Sequence, residues 1–311
     1  MNDSTALGPG REFDLIRALT NRWGTLARGV GDDAALLDVP PGDVLVASVD
    51  SVVEGVHFRD GWFTPREIGW RATTAALSDL AAMAAAPLGV LVSLSLPEAW
   101  LPRVEDLADG IGEAVASAGT FIVGGNVARA HELNVATTVL GHCARPLRRG
   151  GALPGDALFV TGRLGGPVTA LRALERGETP PRRARDRFAW PEPRLRAAQW
   201  LEAHDAHAAI DISDGLLADA GHVAAASGVR LVMDLDVLPV LPGVDAVTAA
   251  RGGEEYELLV AAPAALDTAA FACALALPLT RIGHVESGAA EVHASLRGAR
   301  VAPLDGFDHF S

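Results

Sequence analysis

The hydrophobic positions of this chain follow two rhythms, one helical and one extended. Over residues 11–22 (REFDLIRALTNR), Phe13, Ile16 and Leu19 share one side of a helix, which predicts a short amphipathic element. DVLVASVD (43–50) is an apolar run ending in polar residues and predicts a strand. Residues 64–87 start with Thr64, a candidate N-cap, and Pro65 at the first helical position. They continue as a long small-residue helix that Pro87 is expected to stop. LGVLVSLSLP (88–97) predicts a strand, and RVEDLADGIGEAVASAG (103–119) a helix ended by Gly119. TFIVGGNVARA (120–130) predicts a strand entering a Gly-Gly turn, and ELNVATTVLGHC (132–143) another strand.

Basic residues, glycines and Pro154 over 145–165 then mark an inter-domain crossing that leads into the strand ALFVTG (157–162) and a helix. The Arg/Pro-rich stretch 177–194 predicts an exposed loop. Residues 208–229 predict a strand, a tight polar turn and a helix; 229–240 a strand; and 251–263 a Gly-Gly turn into a strand. Strands alternate with helices in both halves, so the expected class is α/β (α+β) with two domains split near residue 150. The length of 311 residues agrees with two domains.

Composition narrows the function classes. The chain is 49% hydrophobic and only 5% aromatic, as in a globular protein with aliphatic cores. Its formal charge of −13 argues against nucleic acid or an anionic membrane as partner. The two cysteines, Cys143 and Cys273, form neither a CxxC pair nor a disulfide framework. No basic-then-apolar leader and no apolar run of about 20 residues occurs, so the expectation is a soluble cytoplasmic protein.

The candidate chemistry sits where elements end. Acidic or polar knots recur as GDD (31–33), SVD (48–50), LSD (77–79), GGN (124–126) and DISDG (211–215), and GGEE (252–255) repeats the form. No lysine accompanies the first two. Each knot has a plain structural role open to it. GDD serves as a β-turn, Ser78 or Asp79 as an N-cap, and Ser213 or Asp214 as the N-cap of the following helix. GRLGGP (162–167) is either a phosphate cradle or an ordinary turn. His57 fits a core, metal or substrate role, and Arg149 an exposed linker charge or a phosphate clamp. Together the knots point to one cause, a metal–phosphate site, because magnesium takes scattered oxygen ligands and shares substrate phosphates. Neither a Walker A sequence nor a Rossmann fingerprint is present.

Taken in order, GVGDDAALL, SVDSVVEGVHF, ALSDLAAMAAAPLG, GGN, ALPGDALFVTG, PEPR, AIDISDGLLADAGHVAAASGV, GGEEYELL and GFDHF resemble the thiamine-monophosphate kinase family, in the superfamily of aminoimidazole ribonucleotide synthetase. The match spans residues 31–310. The resemblance implies an N-terminal ATP- and metal-binding domain (1–148), a mixed sheet with helices on one face, two copies of which pair into a dimeric barrel. It implies a C-terminal α/β domain (149–311), with the active site in the cleft. The implied reaction moves the γ-phosphoryl group of ATP onto thiamine monophosphate with the help of several Mg2+ ions. Asp33, Ser48, Asp50, Asp79, Asp211 and Asp214 are the implied metal ligands, together with positions 49 and 126. Gly125, Asn126, Arg149 and Ser213 are the implied nucleotide contacts; His57, Glu254 and Phe307 the implied acceptor contacts.

Three positions depart from the family pattern. Val49 stands where a threonine is usual, Asn126 where an aspartate is, and Glu255 where an aspartate is. The first two belong to one metal site in the family, so that one magnesium is expected to be weakened. The changes keep open a diverged nucleotide- or thiamine-phosphate-binding protein of little turnover. A related superfamily synthetase lacks the GFDHF end, and the selenophosphate type is opposed by the absence of cysteine from residues 1–30.

Overall fold

The computed structural model describes residues 10–31 and 33–302. Asp32, Phe307 and the GFDHF end lie outside the described residues. The chain divides into two units. One runs through Leu80 and resumes over Ala85–Ala144; the other takes Ala81–Ala84 and the described chain from Arg145 onward. The expected domain boundary was 148/149.

In the first unit the elements are α1 (Arg11–Trp23), β1 (Val44–Val53), α2 (Pro65–Ala82), β2 (Ala86–Leu96), α3 (Val104–Ser117), β3 (Ile122–Arg129) and β4 (Asn134–Cys143). The sheet order is β1-β4-β2-β3, with β2 and β3 parallel and the other pairs antiparallel. Alternate residues of β4 and β2, among them Val135, Val139, Val90, Val92 and Leu94, are buried, as are Leu77 and Leu80 of α2 and Leu107 and Ile111 of α3. This period of two is what a sheet with one covered face requires.

Thr64 does cap α2. Its Oγ accepts from the Glu67 amide at 3.3 Å, while Glu67 Oε2 accepts from the Thr64 amide at 2.8 Å, a reciprocal capping box. The helix ends at Ala82, and Pro87 lies in β2 rather than stopping the helix. Pro87 faces Gly141 of β4 at a register break between Pro87 and Gly89, and β3 pairs with β2 only from Val90 onward, the irregular strand end where proline is tolerated. Gly124 and Gly125 are likewise inside β3 and not in a turn. Gly125 has φ 157, and a Cβ there would stand 1.9 Å from the Val92 carbonyl oxygen, so the strand pairs this closely only through glycine.

The second unit contains β5 (Ala157–Thr161), α4 (Gly166–Glu175), α5 (Arg182–Ala189), α6 (Leu195–Ala203), β6 (Ala208–Asp211), α7 (Leu216–Ser227), β7 (Arg230–Asp234), α8 (Ala246–Arg251), β8 (Leu258–Ala262), α9 (Thr268–Leu275), β9 (Leu279–Glu286), β10 (Glu291–Leu296) and β11 (Ala299–Val301). Its sheet order is β11-β10-β7-β9-β5-β8-β6, mixed through the parallel pair β7–β10. Every residue of β5 and β8 is buried, as expected for central strands covered on both faces. Leu158, Val160, Leu231, Met233, Leu259 and Ile282 form a core with Leu216, Ala220 and Val223 of α7.

Two expectations fail here. The stretch 177–194 is not simply a loop: α5 forms within it, because Ala184, Phe188 and Ala189 give it a buried side that its many arginines conceal. The strand expected over 229–240 stops at Asp234, whose side chain accepts from the Asp236 amide at 2.9 Å and turns the chain into a short 3-10 helix.

Helices α2 and α3 cross through glycine. A Cβ on Gly110 would sit 1.8 Å from the Arg66 carbonyl oxygen, and one on Gly69 would sit 2.1 Å from that of Leu107. Helix propensity alone makes Gly110→Ala stabilising by about 1 kcal/mol. The crossing reverses the sign, and a net loss of roughly 1–3 kcal/mol is expected from overpacking. Urea denaturation measures it, and an unchanged or raised midpoint refutes the close-crossing account.

Candidate active site

In the first unit, α2 brings an acid to the sheet. Ser48 Oγ on β1 donates to Asp79 Oδ2 on α2, so two residues far apart in sequence meet. Asp79 lies in the body of α2, so neither it nor Ser78 is an N-cap. Asp50 Oδ1 accepts from the Ser51 amide at 2.7 Å. Asp33 is exposed in the turn that follows Gly31. His57 Nδ1 accepts from the Val53 amide at 3.1 Å, which fixes the ring against the end of β1.

Gly125 and Asn126 are exposed on β3, the opposite edge strand from β1. Val49 pairs with Thr138, Thr138 with Leu91, and Leu91 with Gly124, so three strand spacings separate the two edges. At about 4.8 Å per spacing, that is roughly 14 Å. Within one copy, therefore, Val49 and Asn126 stand on opposite edges of the sheet. Gly125 and Asn126 border a small apolar hollow of ≈ 50 Å³ walled by Ile16, Leu19 and Trp23 of α1 and by Val92 and Leu94 of β2.

The second unit gathers the rest around one turn. Asp211 ends β6 and is buried, Ser213 and Asp214 follow it, and α7 begins after Gly215. Neither Ser213 nor Asp214 caps α7; the cap is Gly215, with no side-chain bond. The turn is held from behind by Asp219, in the first turn of α7. Its Oδ2 accepts from the amides of Ser213, Asp214 and Gly215 at 3.1, 3.2 and 3.1 Å. Burial, and then the charges of Asp211 and Asp214, push the Asp219 carboxyl up to about 8 against the pull of those amides. Sequence reasoning missed this residue, although an acid four positions after the Gly of DISDG, at the start of a helix, was the available signal.

The segment carrying Glu254 is clamped to the same turn. The amide of Glu254 bonds the Ser213 carbonyl at 2.7 Å, those of Glu255 and Tyr256 bond the Ile212 carbonyl at 3.1 and 2.9 Å, and the Ile212 amide bonds the Glu257 carbonyl at 2.7 Å. Arg149 is exposed, and its carbonyl accepts from Ser227 Oγ at 2.8 Å. The GRLGGP turn is no phosphate cradle at Gly165, because that amide donates to Glu255 Oε1.

Magnesium is implied by the resemblance, and the donors partly fit it. All are oxygens, and Asp211 and Asp214 lie at one turn, close enough that their charges raise the Asp219 carboxyl behind them. Among the described residues, however, no three His, Cys, Asp or Glu side chains form a ready-made cage. Magnesium does not need one, since it is commonly held by one or two carboxylates plus water and substrate phosphates.

Known proteins resemble the chain throughout. Residues 31–143 match the family of the AIR synthase related protein N-terminal domain, and 154–294 that of its C-terminal domain. A curated thiamine-monophosphate kinase of Salmonella typhimurium is 35% identical over 97% of this chain and 96% of its own length. A crystal structure of thiamine-monophosphate kinase from Stenotrophomonas maltophilia K279a has a TM-score of 0.81 at 37% identity, covering 95% of this chain and 98% of its own. A structure of AaThiL complexed with AMPPCP and TMP has a TM-score of 0.77 at 30% identity, covering 96% and 97%.

Glu255 makes stability depend on pH. Burial pushes its carboxyl from 4.5 to about 8, and its Oε2 meets no hydrogen-bond partner among the described residues. The folded chain thus keeps a proton that the unfolded chain releases, so stability present at low pH is lost as pH rises between those values. The expected slope is on the order of 1 kcal/mol per pH unit. Glu255→Gln keeps an acceptor for Gly165 and should flatten it. Urea midpoints at pH 5 and pH 8 that fall equally in parent and variant would refute this.

Proposed function

The chain belongs to the thiamine-monophosphate kinase family, and from that premise we propose how its residues perform the reaction. It moves the γ-phosphoryl group of ATP onto the phosphate of thiamine monophosphate, giving thiamine diphosphate and ADP. The observation that carries this reading is identity over nearly the whole chain together with the acidic turn Asp211–Asp214.

The attacking group is a phosphate oxygen that is already ionised, so no general base is needed. The obstacle is repulsion between two polyanions. The chain contains no lysine at all, all 26 of its Lys+Arg being arginine, so neither a P-loop lysine nor a kinase strand lysine serves here. Asp33, Ser48, Asp50 and Asp79 in the first unit, and Asp211 and Asp214 in the second, are the residues that would hold magnesium. Magnesium, when bound, neutralises and aligns the phosphates. Gly125 and Asn126, both exposed on the β3 edge, receive the nucleotide. Arg149 and Ser213 contact its phosphates. His57 and Glu254 contact the acceptor, and Phe307 joins them by resemblance alone.

A homodimer closes the first sheet. Strand β1 is an unpaired edge bearing exposed Val44, Leu45 and Val49. Such an edge invites another strand. A second copy laid with its β1 along β3 would form a closed barrel and set the equivalents of Val49 and Asp50 beside Gly125 and Asn126. We place the protein in the cytoplasm, where ATP is abundant. No helix among the described residues is long and apolar enough to cross a membrane.

Incubation with ATP, magnesium and thiamine monophosphate should yield thiamine diphosphate; ATP binding without product would favour the low-turnover binder. Asn126→Asp restores a charge, so half-maximal activity should need several-fold less magnesium. An unchanged magnesium titration would remove the weakened-metal reading. Leu45→Glu should convert a dimer to monomers in sedimentation velocity, and a parent that sediments as a monomer would exclude the barrel.

A further inference from the structure

Glu257 is a heavily bonded acid of the second unit. Its carboxylate is fully buried and takes four donors: Arg194 Nε at 2.7 Å and Nη2 at 2.6 Å, Arg187 Nη2 at 2.7 Å and Thr161 Oγ at 2.6 Å. The same Arg187 nitrogen reaches the Glu255 carbonyl oxygen at 3.3 Å. Arg187 comes from α5 and Arg194 from the start of α6, so two helices each deliver a cation to the foot of β8.

Just ahead of Glu257 the backbone is strained. Glu254 has φ 60 and Tyr256 φ 52, left-handed values that strain a residue with a side chain. Such strain persists only where the surroundings over-determine the conformation. A buried ion cluster is a weak source of net stability, because desolvation offsets most of the attraction, but it is geometrically demanding. Arginine forks in particular fix direction as well as distance.

We propose that Arg187, Glu257 and Arg194 are positioning residues that hold the strained 254–256 segment so that Glu254 is presented to the acceptor. This rests on the reading of Glu254 as an acceptor contact. The cluster touches no reacting atom. It acts through the backbone: Arg187 ties the side chain of Glu257 to the carbonyl of Glu255, between the two left-handed residues.

The test uses the full chain with Arg187→Met, which removes one donor to Glu257 and the tie to Glu255 while leaving the Arg194 fork. Calorimetric titration with thiamine monophosphate in the absence of ATP should show about tenfold weaker binding, with KM for ATP changed less than twofold. Glu254→Gln alone should also weaken acceptor binding. The double variant should bind no more weakly than Glu254→Gln, since the arginine acts through that residue. Unaltered acceptor affinity in a folded Arg187→Met chain of lowered Tm would make the cluster structural only and overturn the proposal, as would additive losses in the double variant. Unaltered affinity in Glu254→Gln would overturn it too. If Arg187→Met fails to fold, Arg187→Lys, which keeps the charge on Glu257 but loses the planar fork, faces the same outcomes. Failure of the parent to make thiamine diphosphate would instead sink the functional reading and is scored separately.

Discussion

A carboxylate taken out of water must be matched by a cation, by hydrogen-bond donors or by a proton, and the second unit uses all three within one neighbourhood. Glu257 is matched by two arginines. Asp219 is matched by three backbone amides. Glu255 is pushed toward its protonated form by burial. The turn that ends in Gly215 and the segment that leads into β8 depart from regular structure, and these solutions add to the backbone bonds that clamp the two together.

The glycines have a matching role in close approach. Gly69 and Gly110 let α2 and α3 touch backbone to backbone, which fixes α2 and with it Asp79. Asp79 then meets Ser48 across from a different element. A helix that carries an acid into a half-buried place is costly unless a partner is waiting there, and the β1 hydroxyl is that partner.

The chemistry agrees with this economy of cations. A protein with arginine but no lysine, and with acids at the ends of its strands, cannot meet a polyphosphate with a flexible ammonium group. Several of its arginines pair with buried or surface carboxylates, as with Arg187 and Arg194 on Glu257 or Arg22 on Asp109. Oxygen donors on turns are the ligands that magnesium accepts, which is the chemistry the proposed reaction calls for.

By itself the sequence determined the two-part α/β organisation, the capped start of α2, most of the strands and the acidic turns, since these depend on local periodicity, proline and glycine positions and cap chemistry. It located the acids but not their company. Pro87 in a strand, α5 inside an arginine-rich stretch and the glycine pair within β3 were decided by pairing and burial that no local pattern contains. That Val49 and Asn126 fall on opposite sheet edges follows from strand order, which puts β4 and β2 between β1 and β3 against chain order. Asp219 and the Arg187–Glu257–Arg194 cluster likewise became visible only in three dimensions. A buried charge is defined by what surrounds it, and those surroundings come from segments as far as 96 residues away, as between Thr161 and Glu257.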